Sequence, residues 1–168
     1  RRLDLTARRL TTIAGNGQSG FVDGPAAAAR FRNSTGIAVN SAGDILIADR
    51  DNFRIRRLAG STVTTIAGNG ALLTSQDGAT ALNTPLNSPF SVSFDQAGNM
   101  LIADTENSVV RLLTASGAMR TIAGNGAREF SGDGGPALQA GLAGPRSATF
   151  DCQGGIIIAA TDNNAIRR

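Results

Sequence analysis

A six-residue segment, Thr-Ile-Ala-Gly-Asn-Gly, occurs three times in this chain, at residues 12–17, 65–70 and 121–126. The copies begin 53 residues apart (65 − 12) and then 56 residues apart (121 − 65). This period is too long for a leucine-rich or tetratricopeptide repeat, and it suits one four-stranded blade of a β-propeller. The sequence therefore predicts a repeat architecture.

Composition favours the same fold class. The 168 residues suit one domain, and they include 21 Gly and 7 Phe but no Trp or Tyr, which is typical of an all-β protein with frequent turns. No apolar run approaches the ~20 residues that span a bilayer, and no signal-peptide pattern opens the chain, so we expect a soluble chain without a membrane partner. A single Cys152 excludes an intrachain disulfide and leaves the compartment open. Since there is no initiator Met, a fragment of a longer protein or an engineered chain is expected.

The middle repeat shows the pattern of one blade most clearly. An alternating run and then an apolar run flank Gly98 as a hairpin, a polar turn follows, and two further runs lead into the hexapeptide. The Gly-Asn-Gly triplet predicts a sharp reversal of the backbone. The four predicted strands, labelled a to d, are Ser91 to Asp95, Met100 to Ala103, Ser108 to Leu113 and Met119 to Ala123.

The repeats begin and end out of phase with a blade. Arg1-Arg2-Leu3 aligns with Arg56-Arg57-Leu58, the end of a strand c, and the chain stops after Ile166-Arg167-Arg168, in another strand c. The predicted order is therefore d, abcd, abcd, abc in one propeller domain. Its parts are strand d at 1–17, blades at 18–70 and 71–126, and a blade without strand d at 127–168.

Three blades do not close a ring, and an open arc would leave sheet edges unpaired. Two copies would give six blades around a twofold axis, with each first strand d completing the last blade of its partner. We therefore predict a homodimer. The residues predicted to close the ring are Leu10, Thr11, Thr12, Ile13, Ala14, Ala165, Ile166 and Arg167.

The repeated segments closely resemble NHL repeats over essentially the whole chain. Besides the hexapeptide, the resemblance is carried by Gly132-Asp133-Gly134-Gly135-Pro136-Ala137, Gly36-Ile37-Ala38-Val39, Ile47-Ala48-Asp49 and Asn52 with Ile55-Arg56. It implies a β-propeller, usually of six blades. NHL-like propellers serve as protein-binding platforms, as RNA-binding domains and, in a minority, as metal-dependent lyases or hydrolases. Two departures stand out: Ala160 replaces an Asp found at 49 and 104, and Thr35 replaces a Pro found at 89 and 145.

Polar residues recur at one turn of every repeat: Asp49, Asp104, Asn52, Asn107 and Asn163. Such a set could bind a cation, but presence in every blade favours a turn device in which the side chains accept backbone N–H groups. Arg56, Arg111 and Arg167 recur as well. We expect them to pair with these acids or with a neighbouring blade, as surface ion pairs that contribute about 0–1 kcal/mol.

The loops after strand d carry Asp23-Gly24, Asp77-Gly78 and Asp133-Gly134-Gly135. They lack the ligand pattern of an EF-hand and the Lys of a phosphate loop, so turn chemistry is the better interpretation. The chain has no His, which argues against most zinc sites and most general-base chemistry. No catalytic, cofactor or metal residue is therefore predicted, although carboxylate chemistry around calcium stays open.

Propeller topology places the long loops and the b-to-c turns on one rim. The basic residues are all Arg, 16 in number against 13 acids, and Phe residues are interleaved with them. The predicted function is a non-catalytic scaffold that binds a protein or peptide at this rim; a calcium-dependent hydrolase or lyase with a central-channel site, or an RNA-binding propeller, are the alternatives. The predicted rim residues are Phe21, Arg30, Arg32, Arg50, Phe53, Arg128, Glu129 and Phe130.

Overall fold

A computed structural model describes residues 1–72, 77 and 80–168, so Gly78 and Ala79 of the middle loop lie outside it. Within those residues the chain forms β-strands and short 3-10 turns, and no helix is long and apolar enough to cross a membrane. The strands are β1 Arg2–Asp4, β2 Arg9–Thr11, β3 Gly24–Pro25, β4 Ser34–Val39, β5 Ile45–Asp49, β6 Arg54–Ala59, β7 Thr62–Ala67, β8 Pro89–Phe94, β9 Met100–Asp104, β10 Val109–Leu113, β11 Met119–Ala123, β12 Pro145–Phe150, β13 Ile156–Ala160 and β14 Ala165–Arg167.

Each repeat folds into one antiparallel sheet whose strands follow chain order. β4 to β7 form the first blade, β8 to β11 the second, and β12 to β14 a third sheet of three strands. The short β3 adds to the outer edge of the first blade by pairing with β7. β1 and β2 pair only with each other, as a separate two-stranded sheet. The all-β fold with four-stranded propeller blades, predicted from the repeat period, is confirmed, whereas the six-bladed dimer stays a prediction.

The a-to-b hairpins are held by one side chain each, at the end of strand a. Asn40 and Asp151 each accept two backbone N–H groups, from Ala42 and Asp44 in the first blade and from Gln153 and Gly155 in the third. The Gln153 N–H holds the pKa of Asp151 below its ordinary value, with further help from the Gly155 N–H and Arg168. These hairpins carry the positive φ values that glycine permits.

The hydrophobic core lies between neighbouring blades. Leu46 of the first blade and Val92, Ile102 and Met119 of the second bury one interface, and Leu101, Val110, Leu142, Ala148 and Ile158 bury the next. Every residue of β9 is buried because blades cover both of its faces.

The innermost strands of adjacent blades approach each other very closely. A Cβ placed on Gly36 of β4 would lie 2.6 Å from the carbonyl oxygen of Phe90 and 2.7 Å from the Cα of Ser91, both in β8. The Thr35 hydroxyl donates to the same Phe90 carbonyl at 2.7 Å. Glycine at position 36 is therefore required by space, since the next blade leaves no room for a side chain.

Strand register corrects one alignment made from the sequence. Pro89 pairs with Asp104 and Pro145 with Ala160, while Ser34 pairs with Asp49. Ser34 therefore occupies the place of the two prolines, and the assignment of Thr35 to that place was wrong. Thr35 aligns instead with Phe90 and Arg146. A slip of one residue is easily made because the segments entering strand a differ in composition, and only the pairing fixes the register.

Candidate functional site

The recurring aspartate at the end of strand b closes a polar cluster inside the blade. Asp49 Oδ1 accepts the backbone N–H of Arg32 at 2.7 Å, and its Oδ2 accepts from Asn52 Nδ2 at 2.8 Å and from Arg56 Nη1 at 2.7 Å. Asp104 has the same arrangement with Asn87, Asn107 and Arg111. Asp49 and Asp104 therefore accept a backbone N–H as predicted, but from the segment that enters strand a and not from the b-to-c turn. Asn52 and Asn107 donate to these aspartates, so the prediction that they accept backbone N–H groups was wrong.

The arginine pairs are buried, which corrects their expected place on the surface. The side chains of Arg56 and Asp49 are both 0% exposed, and Arg111 is nearly as buried beside Asp104. Burial raises the pKa of Asp104, although hydrogen bonds from Asn107 and Asn87 and the charge of Arg111 oppose that effect. This burial could not be predicted from the sequence, because it results from the next blade covering strands b and c.

The aspartates of the long loops do more than form turns. Asp23 Oδ1 accepts from Arg56 Nε at 2.9 Å, and its Oδ2 accepts from the backbone N–H and the hydroxyl of Thr65 at 3.0 and 2.9 Å. Asp77 binds Arg111 and Thr121 in the same way. We call this unit the Asp–Arg–Thr cluster; it joins loop, strand c and strand d, and its threonine opens the repeated hexapeptide.

The third blade lacks the strand-b aspartate and compensates locally. Ala160 stands in its place, and the Ala143 N–H that would meet a carboxylate is accepted at 2.9 Å by Asn163 Oδ1. Arg167 donates to the carbonyls of Gly141 at 2.8 Å and Ser131 at 2.9 Å, and to Asp133 at 2.5 Å. The third turn therefore keeps its backbone partner without the aspartate.

The predicted rim residues fall into two groups. On the first blade, Phe21 lies under the guanidinium groups of Arg54 and Arg56, at 3.9 and 4.8 Å from its ring centre. The Arg30 carbonyl accepts from Arg56, the exposed Arg32 donates its N–H to Asp49, and Phe53 takes a left-handed φ of 55° after the b-to-c turn. These residues are mostly occupied in holding the loop onto the blade.

On the third blade the rim group spans two turns. Arg128 donates to Glu106 at 2.8 Å and also to Asp162, residues of the b-to-c turns in the second and third blades. Glu129 accepts from the hydroxyl of Ser131 at 2.8 Å. Phe130 is 60% exposed, and the Arg167 guanidinium lies 5.3 Å from its ring centre. The loops and the b-to-c turns thus share one rim.

The remaining predicted rim residue, Arg50, belongs to a stack that sequence reasoning missed. The guanidinium groups of Arg50 and Arg146 lie 5.8 and 5.4 Å from the ring centre of Phe90, so an arginine from each flanking blade meets one ring. Their nearest carboxylates are at 3.9 Å (Asp51) and 4.0 Å (Asp162), beyond hydrogen-bond distance. Arg50 Nε is buried without a hydrogen-bond partner. One feature of the sequence pointed to this stack. A single position of strand a, occupied by Thr35, Phe90 and Arg146 in the three repeats, differs in residue type from repeat to repeat.

The opposite end of the three inner strands forms an open groove of about 810 Å³. Its walls are the last apolar residues of strand a, Val39, Phe94 and Phe150, edged by the a-to-b hairpins and the exposed Cys152. Across the described parts of the chain, no group of three or more His, Cys, Asp or Glu side chains is placed to hold a metal ion. These described residues therefore provide no set of ligands in support of the calcium-dependent alternative.

Parts of the amino-acid sequence match known repeats and proteins. The NHL repeat model matches residues 31–58. The chain is 36% identical over 56 residues to Protein SUPPRESSOR OF QUENCHING 1, chloroplastic, of Arabidopsis thaliana, a match that covers 33% of this chain and 5% of that protein.

The fold of the chain is similar to that of solved structures. An auxiliary nutrient binding protein from Bacteroides thetaiotaomicron VPI-5482 superposes with a TM-score of 0.69 at 19% identity, covering 97% of this chain and 40% of its own. Virginiamycin B lyase from Staphylococcus aureus gives 0.53 at 16% identity, covering 79% and 36%. The chain thus spans less than half of either structure. At these identities the likeness shows the fold alone, a β-propeller built from four-stranded blades; within it, residues 31–58 match the NHL repeat.

Proposed function

We propose that this chain is a non-catalytic binding module that presents the loop-side rim of its propeller to an acidic segment of another protein. The observation that carries the proposal is the stack of Arg50 and Arg146 on Phe90. Guanidinium groups bind carboxylates through paired hydrogen bonds, and Arg with an aromatic ring is a frequent anchor of protein interfaces. Here both guanidinium groups lie outside hydrogen-bond distance of their nearest carboxylates, so their donors can serve a ligand.

A binding role is favoured over catalysis because the recurring carboxylates already bind other groups of the protein. Asp49 and Asp104 are buried and bound to arginine, amide and backbone donors, and Asp23 is bound to Arg56 and Thr65. A general acid or base needs a group that can reach substrate and exchange a proton. These recurring acids are instead committed to holding the blade together.

A peptide-binding measurement tests this function. A fluorescein-labelled Glu-rich peptide should bind the protein, and Arg146→Ala or Arg50→Ala should weaken its affinity about tenfold each, or ~1.4 kcal/mol. Arg120→Ala is the matched control, since it removes the same charge from an exposed position on β11. Unchanged affinity in the two rim variants, or an equal loss in the control, would contradict the assignment of the site.

The two alternatives give different outcomes in the same assays. An oligouridine RNA that binds more tightly than the peptide, with affinity falling steeply as salt rises, would favour the RNA-binding propeller. A rise in melting temperature on adding calcium would favour the calcium-dependent hydrolase or lyase. Either result would overturn the proposed acidic protein segment as the principal ligand.

We also propose that two copies of the chain complete a six-bladed ring. Apolar side chains on the two end faces support this. Ile37 of the first blade and Ile157 of the third are 69% and 37% exposed, whereas the aligned Val92 and Leu101 of the middle blade are 6% and 0% exposed. Covering such faces is the usual reason for an obligate dimer. Light scattering at micromolar concentration should give twice 17.1 kDa; a stable monomer would exclude the ring.

A further inference from the structure

We infer that Asp162 competes with the carboxylates of the ligand proposed above, and that Arg128 keeps Asp162 from pairing with Arg146. This inference rests on the proposed binding of an acidic protein segment at Phe90, and it adds two residues that set how tightly that site binds. Both of them act on the site through Arg146.

Each blade presents one acid at the same place on the loop-side rim. Asp51, Glu106 and Asp162 occupy the second position of the three-residue b-to-c turn. In every blade the backbone N–H of this acid donates to a carbonyl of the segment that enters strand a, at 3.1–3.2 Å. An acid is therefore held beside the start of strand a in each blade.

Two of these acids face the arginines that stack on Phe90. Asp51 Oδ1 lies 3.9 Å from Arg50 Nε, and Asp162 Oδ1 lies 4.0 Å from Arg146 Nη2. At this separation the opposite charges attract each other, but no hydrogen bond forms. A carboxylate of a bound peptide would use the same guanidinium donors. Each of the two acids is therefore an intramolecular rival of the ligand.

Asp162 differs from Asp51 because a second arginine holds it. Arg128 Nη2 donates to Asp162 Oδ2, while Arg128 Nη1 donates to Glu106 at 2.8 Å. Within the residues that the structure describes, Asp51 has no cationic partner besides Arg50. The side chain of Arg146 is 51% exposed, so its donors are open to a ligand while Arg128 holds Asp162.

The carboxylate of Asp162 needs to move only a short distance to reach Arg146. It packs against Gly144, where a Cβ would lie 2.7 Å from Asp162 Cγ and 3.1 Å from its Oδ1. A hydrogen bond between charged groups spans about 2.8 Å, so a shift of about 1 Å closes the 4.0 Å gap to Arg146. Rotation of the side chain is enough for this shift, and the backbone of the turn can stay in place.

The repeated hexapeptide places Arg128. Asn125 of the third copy accepts the N–H of Ala127 at 2.8 Å and donates to the carbonyl of Gln139 at 3.1 Å, which fixes the turn that Arg128 follows. The aligned positions after the first and second copies are Ser19 and Leu72. The third copy alone therefore carries a cation to the rim, and this difference separates Asp162 from Asp51.

Peptide affinity in a double-mutant cycle tests the inference. With the labelled Glu-rich peptide described above, Arg128→Ala should weaken binding about threefold to fivefold, because the released Asp162 then forms an exposed ion pair with Arg146. Asp162→Asn, which keeps the shape of the side chain, should strengthen binding about twofold to threefold. The double variant Arg128→Ala/Asp162→Asn should bind at least as tightly as the unmodified protein.

A matched double variant separates this competition from a simple change of net charge. Arg128→Ala/Glu106→Gln has the same net charge and also removes a partner of Arg128, but Glu106 forms no described ion pair with Arg146. It should bind as weakly as Arg128→Ala alone.

Three outcomes would overturn the inference: unchanged affinity in Arg128→Ala, rescue by neither second substitution, or equal rescue by both. Weaker binding in Arg146→Ala would still support the proposed function in each of these cases. An unmodified protein that does not bind the peptide would overturn the proposed function and this inference together.

Discussion

A buried aspartate–arginine pair sits at the centre of each of the first two blades. Removing two charges from water costs free energy, which is offset only when hydrogen bonds satisfy both groups. Asp49 receives three donors, and Arg56 reaches two carboxylates and two backbone carbonyls. The third blade shows another solution, with Asn163 serving in place of the missing carboxylate. The pair is thus a way to fix the b-to-c turn, and its function is structural.

Breaking one such pair should destabilise the fold strongly. Asp104→Ala leaves the buried Arg111 without its closest interior carboxylate, and we expect the free energy of unfolding to fall by about 3–5 kcal/mol. Urea unfolding followed by circular dichroism measures the change. Glu106→Ala, which removes an exposed partner of Arg128, is the control and should cost less than about 1 kcal/mol. Equal losses in the two variants would contradict the burial argument.

The hairpin aspartate of the third blade should give the protein a defined acid response. Because backbone donors and Arg168 hold the pKa of Asp151 below its ordinary value of 3.8, its stabilising contribution is fully present above pH 3.8 and is lost as the pH falls through the folded-state pKa. Asp151→Asn, which copies Asn40 of the first blade, should reduce this acid-side loss. Urea midpoints at pH 6 and pH 3 compare the two proteins; parallel curves would show that Asp151 is not responsible.

Among the strands, the inner strands of neighbouring blades pack directly against each other. β4 and β8 approach so closely that there is room for a hydrogen at position 36 but none for a methyl group. The same closeness lets Thr35 donate to the Phe90 carbonyl and brings Arg50 over the Phe90 ring. The candidate binding stack therefore depends on this contact between blades.

A methyl group at that contact should force the blades apart. Gly36 does not need positive φ, so Gly36→Ala tests space alone, and we expect a loss of about 1–3 kcal/mol in unfolding free energy together with weaker peptide binding at Phe90. Gly135→Ala is the control, because its nearest neighbour lies at 3.4 Å, an ordinary contact distance. Equal free energies of unfolding in the two variants would contradict this prediction, since they would show that the inner strands can separate without loss of stability.

At the scale of the whole molecule, the arc of blades ends in two exposed apolar faces. If two copies form the proposed ring, its stability should depend on protein concentration, because only the assembled form would cover those faces. We expect the melting temperature, measured by circular dichroism, to rise between about 1 and 100 µM. Ile166→Glu places a charge on the face and should abolish the rise. A melting temperature independent of concentration would mean that each chain is stable alone.

Local patterns in the sequence were enough to predict the repeat, the all-β class and the strand order within each blade, whereas the β1–β2 hairpin was predicted as a single strand d. These follow from local patterns: period-two alternation, glycine at reversals, and Asp or Asn where backbone N–H groups need partners. These patterns recur in each of the three copies of the repeat, so each copy supports the strand and turn assignments made from the others.

Which side chains are buried and which meet across blades could be seen only in the folded protein. Arg56 reads as a surface residue in the sequence, and Asp23 as part of a turn, yet the fold joins them and extends the contact to Thr65, 42 residues beyond Asp23. Phe90 and Arg146 lie on separate blades and carry no motif. Their meeting depends on how closely the sheets pack, which strand patterns do not encode, because packing distance is set by all the side chains between two blades together.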